Sequence, residues 1–372
     1  MSVDIIKVSS KSDYKAFAKL PFEIYKGNAY WVPPIIKDEI KSLNPLENPA
    51  MDYCDSQFWL AKKEGKVVGR IGAIINKKYN EKLNEKLGRF SRLEFYDDAE
   101  VFQALMDTAV NWLKERGMNK AHGPLGFSNL DTQGMLIEGF DHLASVASVY
   151  HMPYYQTHLD KYGFRKENDW VEFRLTLGER ARQKGIRGSQ LIKKRYGFEV
   201  VRFEKTDELK PYVKDIFAIL NDAFDKLPYV TPFNEKMIDL YAEKYFKVIN
   251  PKYVAMVKKE ERIVGFVVAV PSLSEAMQKA NGKLFPLGFT HVLKAMKNPK
   301  VLDFFLTGVV PEYDNAGVAV ILFSEIQDEM LGAGIDQMET TGIFETNHNV
   351  ISNWKNYEHI QHKRRRCYIK EI

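Results

Sequence analysis

Residues Val257–Val270, VKKEERIVGFVVAV, repeat in stronger form a segment from the first half of the chain, Ala61–Ile75, AKKEGKVVGRIGAII. Lys62, Lys63, Glu64, Lys66, Val67, Val68 and Gly69 fall on Lys258, Lys259, Glu260, Arg262, Ile263, Val264 and Gly265, an offset of 196 positions. Each copy reads as a strand, a charged turn and a second strand. Hairpins of this kind are common, and one match alone carries little. A second match returns at nearly the same offset, where Leu159-Asp-Lys-Tyr-Gly-Phe164 falls on Trp354-Lys-Asn-Tyr-Glu-His359. Two matches in step point to one domain written twice. At 372 residues the chain has room for two domains, each able to bury its own core.

The charge balance sets bounds on partners. A formal net charge of +5 suits an anionic small ligand and does not demand nucleic acid. The one dense basic run, His362-Lys363-Arg364-Arg365-Arg366, reads as the solvated end of a last strand rather than a nucleic-acid patch. Cys54 and Cys367 stand far apart, with no CxxC pair or Cys/His cluster at metal-ligand spacing, so no metal is expected. Two isolated cysteines fit a reducing compartment. The start, MSVDIIKVSSK, has no apolar signal core, and no apolar run approaches the ~20 residues of a membrane helix. The expected location is cytoplasmic, with peripheral membrane contact left open.

Organisation follows from periodicity and punctuation. Val3–Val8 reads as a strand, with a helix to about Tyr25 capped by Ser12 or Asp13. Asp98–Arg116 carries apolar residues at helical spacing and stops at Gly117. Ala121–Tyr150, rich in glycine, reads as a loop with short strands. Tyr154–Tyr162 is expected to be a helix and Trp170–Leu177 a strand. Glu179–Arg195 is charged and poor in large apolar residues, which predicts a linker helix. The expected domains are therefore residues 1–178 and 197–372, joined by a linker over 179–196. Pro271–Lys300 has no counterpart in the first half.

The stretch closest to chemistry is Leu306–Leu322, LTGVVPEYDNAGVAVIL. A strand runs into a loop with Gly317 and Ala319 and then into a long helix. Unpaired N–H groups at such a terminus bind phosphate oxygens, and a small residue lets the pyrophosphate approach the backbone. On these residues the second half resembles the GNAT superfamily of acyl-CoA N-acyltransferases. Their phosphate loop, Gln/Arg-x-x-Gly-x-Gly/Ala, is matched here by Asp314-Asn-Ala-Gly317-Val-Ala319. A later family pattern places Asn before the last helix, a Tyr seven residues on, and then Gly-Phe. Asn347 matches it, Trp354 holds the tyrosine position, and Glu358-His359 replaces Gly-Phe. The first half keeps Tyr162-Gly163-Phe164 but has no glycine loop at Phe95–Gln103, so its phosphate site is read as lost. With the phrases WVPP, FWLAKK, GPLGFS and LIEGFD, the whole chain is similar to a bacterial tandem GNAT-like family.

The resemblance implies an α/β fold of two GNAT-like domains in tandem, each a mixed, mostly antiparallel sheet flanked by helices. It implies acetyl-CoA or a longer acyl-CoA as co-substrate, held at Val309, Val310, Asn315, Ala316, Gly317, Val318, Ala319 and Asn347. The acceptor would be a primary amine, with a lipid or sphingoid base among the candidates. Asp314 sets a carboxylate near the expected pyrophosphate. Trp354 cannot donate a proton as the family tyrosine is thought to do, and Tyr357 or water stands ready to replace it. Glu345 and Glu339 are candidate bases, each weighed against a solvated strand-end carboxylate; His348 is more often a loop histidine. His122, Ser128, Asn129, Asp131, Tyr154 and Tyr155 are candidates to line an acceptor cleft between the halves, against the plainer roles of turn and packing residues. Two other readings stand beside this one: a degenerate binding protein without turnover, and a relative of aminoacyl-tRNA-dependent peptidyl transferases. The second would need steeply salt-dependent RNA binding.

Overall fold

The computed structural model describes residues 2–372, and the chain divides into two compact units. The first unit runs to Val171 and adds Ser274–His291 and His362–Ile372; the second comprises Glu172–Leu273 and Val292–Gln361. The units are thus discontinuous in sequence.

The first unit opens with β1 (Asp4–Lys7), α1 (Lys11–Ile24) and α2 (Ile36–Leu43). The cap of α1 is Ser10, in a reciprocal capping box with Asp13, rather than Ser12. There follow β2 (Cys54–Lys63), β3 (Lys66–Asn76), α3 (Lys77–Leu83), β4 (Leu87–Phe95), α4 (Ala99–Lys114), β5 (Lys120–Gly123), β6 (Met135–Glu138), α5 (Tyr154–Tyr162) and β7 (Arg165–Thr176). Strands β1 to β4 pair antiparallel in order, and β5 joins β4 in parallel. The core of this unit gathers Phe95, Leu105, Tyr155, Leu159 and Tyr368 between sheet and helices.

The second unit continues with α6 (Glu179–Tyr196), β8 (Phe198–Arg202), α7 (Val213–Phe224), α8 (Glu235–Phe246), β9 (Val254–Lys259) and β10 (Arg262–Pro271). The chain then returns to the first unit for α9 (Ser274–Ala280) and the first residues of α10 (Gly288–Lys297), and the second unit resumes with β11 (Val301–Val309), α11 (Val318–Gly332), β12 (Gln337–Thr340), β13 (Ile343–Phe344) and α12 (His348–Ile351), before β14 (Glu358–Glu371) runs back into the first unit from His362. Strands β8 to β11 pair antiparallel in order, and β12 joins β11 in parallel. Both units therefore contain an antiparallel hairpin followed by a parallel strand–helix–strand, which is the repeat read from the sequence.

The repeated residues do the same work twice. Both hairpin turns hold a glutamate in the left-handed region, Glu64 at φ 51° and Glu260 at φ 55°. Gly69 and Gly265 both let the crossover helix press on the hairpin. A Cβ on Gly69 would lie 2.6 Å from Leu105 Cδ1 of α4; one on Gly265 would lie 2.7 Å from Val318 Cγ1 of α11. The second match also holds: α5 ends at Tyr162 and leads into β7, while the 3-10 turn Ser352–Asn356 leads into β14.

The helix expected over 179–196 is present as α6, and it lies on α11. Arg182 Nε reaches Asp328 Oδ1 at 2.7 Å, and Lys193 Nζ reaches Glu325 Oε1 at 3.5 Å. The basic run is not a solvated end. Lys363 and Arg365 are buried and donate to the carbonyls of Leu143 and Gln133. Arg366 Nε reaches the buried Asp169 at 2.8 Å and Arg364 Nη1 at 3.2 Å. β14 enters the first unit through these charges and pairs antiparallel with β5 and β6. Buried cations need such partners, since an unpaired one is strongly disfavoured.

Candidate functional site

Strand β11 pairs with β12 only from Val301 to Phe304. Beyond Phe304, β12 ends at Thr340 while β11 continues to Val309. Five residues of β11, Phe305–Val309, thus have no ladder partner on the β12 side. An unpaired strand edge offers alternating N–H and C=O groups to an extended ligand. The edge leads through a 3-10 turn, Pro311–Tyr313, to α11. Gly317 is the N-cap of α11, at φ 79°, and supplies no capping side chain. Among the described residues, the N–H groups of Val318 and Ala319, the first two of the helix, meet no backbone acceptor. They form a ready site for an anion, reinforced by the helix dipole.

The expected cofactor residues divide on this geometry. Asn315 and Ala319 are exposed at the loop and first turn, and Ala316 and Gly317 are half-buried beside them. Val318 turns its side chain into the core and can offer only its N–H. Val309 is set opposite Gly265 in the sheet. Val310 donates its N–H to Val264 O at 2.9 Å, and its carbonyl accepts from Tyr313 N–H at 2.8 Å, which leaves one lone pair of that oxygen for a ligand. Asn347 caps α12 by accepting from Val350 N–H at 3.3 Å. The small residue at 317 also has an internal reason, since a Cβ there would lie 2.7 Å from Ile192 Cδ1 of α6. Asp314 is exposed beside the helix entrance, and partial burial raises its carboxyl above the usual range.

Trp354 and Tyr357 both pack on Phe323 of α11, with ring centroids 5.6 and 5.1 Å away. Trp354 is buried, and its indole Nε1–H has no protein acceptor among the described residues. Burial pushes the Tyr357 phenol up to about 12, which keeps it protonated at neutral pH. Glu345 lies half-buried in the turn after β13, and His348 is exposed on α12. Glu339 is a strand residue bound to Arg174 by two hydrogen bonds of 2.8 and 2.5 Å.

The residues expected to line an acceptor cleft are instead interior or turn-forming parts of the first unit. Tyr155 is fully buried; its hydroxyl accepts from Phe95 N–H at 3.1 Å and donates to Glu94 at 2.7 Å. Tyr154 donates to Phe95 O at 2.5 Å. Together they seal the end of β4, the position that corresponds to the open edge of β11. Ser128 is buried, and with Phe127 it donates its N–H to Asp131 in a tight turn; Asn129 sits half-buried in the same turn. His122 is buried, with Nδ1 3.3 Å from Glu167 Oε2, and burial holds its imidazole below the usual range.

Two clusters escaped the sequence because their members are remote in the chain. Glu94 is sealed inside with the hydroxyls of Tyr25 and Tyr155 at 2.6 and 2.7 Å, and burial raises its carboxyl. His122, Glu167 and Cys367 bring one donor atom each to within 4.8 Å of one another, a set of metal-ligand types. The Cys367 thiol and the His122 ring both meet Glu167 Oε2 at 3.3 Å, the pattern of a hydrogen-bonded network.

No protein-family model matches the chain. It is 27% identical to the protein YghO of Escherichia coli (strain K12) over 372 residues, covering 98% of this chain and 94% of that protein. It is 24% identical to the bacterial ceramide synthase of Caulobacter vibrioides over 384 residues, covering 100% and 98%. Among solved structures it resembles a tandem GNAT protein from the clavulanic acid biosynthesis pathway, with a TM-score of 0.57 and 12% identity, covering 100% and 98% of the two chains. The chain has the tandem GNAT fold.

Proposed function

We propose that this protein is an acyl-CoA-dependent N-acyltransferase that joins a long acyl group to the primary amine of a lipid or sphingoid base. The observation that carries the reading is the open edge Phe305–Val309 of β11 running into the uncapped start of α11. An extended thioester arm suits the first, and a pyrophosphate suits the second. The first unit has the same strand–helix–strand but closes its strand end with Tyr154 and Tyr155, which supports a single acyl-CoA site. The Caulobacter relative is named a ceramide synthase, and a ceramide is the amide of a fatty acid with a sphingoid base.

In this reading the amine nitrogen attacks the thioester carbonyl, the C–S bond breaks, and one proton passes from nitrogen to sulfur. Positioning supplies much of the rate. Tyr357 carries a proton that burial keeps in place, and the Trp354 indole N–H is a buried donor with no protein acceptor among the described residues. Glu345 is the base assigned to the amine proton. The RNA-dependent alternative loses support because the basic run is committed inside the first unit.

The test is calorimetric titration of acetyl-CoA and palmitoyl-CoA into wild type and Ala319→Glu. Ala319 is exposed, so the variant adds a carboxylate at the helix start without disturbing the core. One site is expected, preferring the long chain and weakened about tenfold or more in the variant. Binding of neither ligand, or equal binding by both proteins, would overturn the assignment.

A further inference from the structure

The segment without a counterpart in the repeat, α9 and α10 with the loop between them, is fixed on its inner side. Gln278 Nε2 donates to the carbonyls of Ala29 and Trp31 at 2.9 and 3.0 Å, and Gly282 O accepts from Ile36 N–H at 3.0 Å. Among the described residues, its outer side has no such partner. Phe285 is 78% exposed, Leu287 69%, Leu293 56% and Phe289 37%. The Phe285 and Phe289 rings lie 5.5 Å apart, so they present one apolar surface. On α10 the exposed positions are Phe289, Thr290, Leu293, Lys294 and Lys297. At helical spacing these make an apolar strip bordered along its length by lysines.

The charge of this segment is lopsided. Residues 276–302 hold five lysines, at 279, 283, 294, 297 and 300, and no aspartate or glutamate. That equals the formal +5 of the entire chain, so the remaining residues balance. Exposed phenylalanine and leucine beside lysines that meet no acid among the described residues match the two halves of an anionic lipid surface, acyl chains below and headgroups around.

We infer that the loop 281–287 and helix α10 form a docking surface for an anionic lipid bilayer, on which the helix lies flat. A second copy of the chain is the poorer occupant, since a two-fold contact would bring the two lysine sets together. Among the described residues, no helix is long and apolar enough to cross a membrane, so contact is at the interface. The inference stands apart from the proposed reaction, because vesicle binding is read without turnover.

The experiment is flotation of the full chain with vesicles of phosphatidylcholine alone and of phosphatidylcholine mixed equally with phosphatidylglycerol, at low and high salt. Flotation with the anionic vesicles at low salt is expected, and its loss with the neutral ones. Lys294→Gln and Lys297→Gln should each weaken vesicle binding about fivefold. Phe285→Ser with Leu287→Ser should abolish it while leaving the melting temperature unchanged, as both side chains are exposed. Failure of the wild type to float with anionic vesicles would overturn the inference. So would flotation of all variants like wild type, or a concentration-dependent dimer that the Phe285→Ser, Leu287→Ser variant dissolves.

Discussion

The hydroxyl of Tyr155 accepts a hydrogen bond from Phe95 N–H at 3.1 Å and passes its own proton toward Glu94 at 2.7 Å. One side chain thus closes the strand end of the first unit and anchors a buried carboxylate. Tyr155→Phe leaves both groups short of a partner and should destabilise the protein by about 1–3 kcal/mol. Acyl-CoA affinity should not move. Denaturant unfolding and calorimetry on the same preparation check this; a changed affinity would place the ligand in the first unit.

Gly69 and Gly265 test the duplication as physics rather than as pattern. Alanine at either position drives a methyl to 2.6 or 2.7 Å from the crossover helix. Each substitution should lower stability by ~1–3 kcal/mol through overpacking. The contacts belong to separate helices, so the double variant should show the two losses summed. Chemical denaturation of the four proteins reads this directly.

Trp354→Phe separates packing from chemistry. The ring still meets Phe323, but the orphaned indole N–H disappears. Stability should hold or rise slightly, because an unsatisfied buried donor is removed. The proposed acyl transfer should fall about tenfold or more in kcat, with KM for acyl-CoA little changed. A variant with wild-type kcat would remove Trp354 from the reaction.

Asp314 should oppose the pyrophosphate from its exposed place beside α11. Asp314→Asn is expected to tighten acyl-CoA binding a few-fold at low salt, and the gain should shrink as salt screens the charge. Titrations at two ionic strengths decide it.

Acid should loosen the first unit. His151 accepts Leu136 N–H at its Nδ1, and burial takes its pKa from 6.5 down to about 3. In the unfolded chain it binds a proton below 6.5, while the folded protein refuses one until about 3. Stability is therefore complete above 6.5 and falls through that window, at roughly 1.4 kcal/mol per pH unit for the single group. Melting temperatures followed across the window should slope less in His151→Asn.

Much of the fold was legible because the repeated residues have local or near-local duties. Gly69 and Gly265 sit one hairpin away from the helices they admit, and Glu64 and Glu260 occupy the turns themselves. What stayed hidden depends on partners far along the chain. Lys363 and Arg365 look like a solvated run until Leu143 and Gln133 supply buried carbonyls. Tyr154 and Tyr155 look like cleft walls until Phe95 takes their hydroxyls. At the site, the glycine loop was readable as a helix entrance, but the hydrogen-bonded backbone of Val310 and the contact of Gly317 with Ile192 were not. The open edge of β11 had no sequence signal, since it arises from where β12 stops.

The placement of His362–Ile372 inside the first unit has a consequence for biosynthesis. The residues that begin that unit leave the ribosome long before those that finish it. Until β14 arrives, β5 and β6 expose the edges it will cover, and the Asp169 carboxylate waits without Arg364 and Arg366. Folding of the first-made half therefore closes only after β14 is translated, so a nascent chain stalled before β14 should remain a substrate for chaperones and proteases.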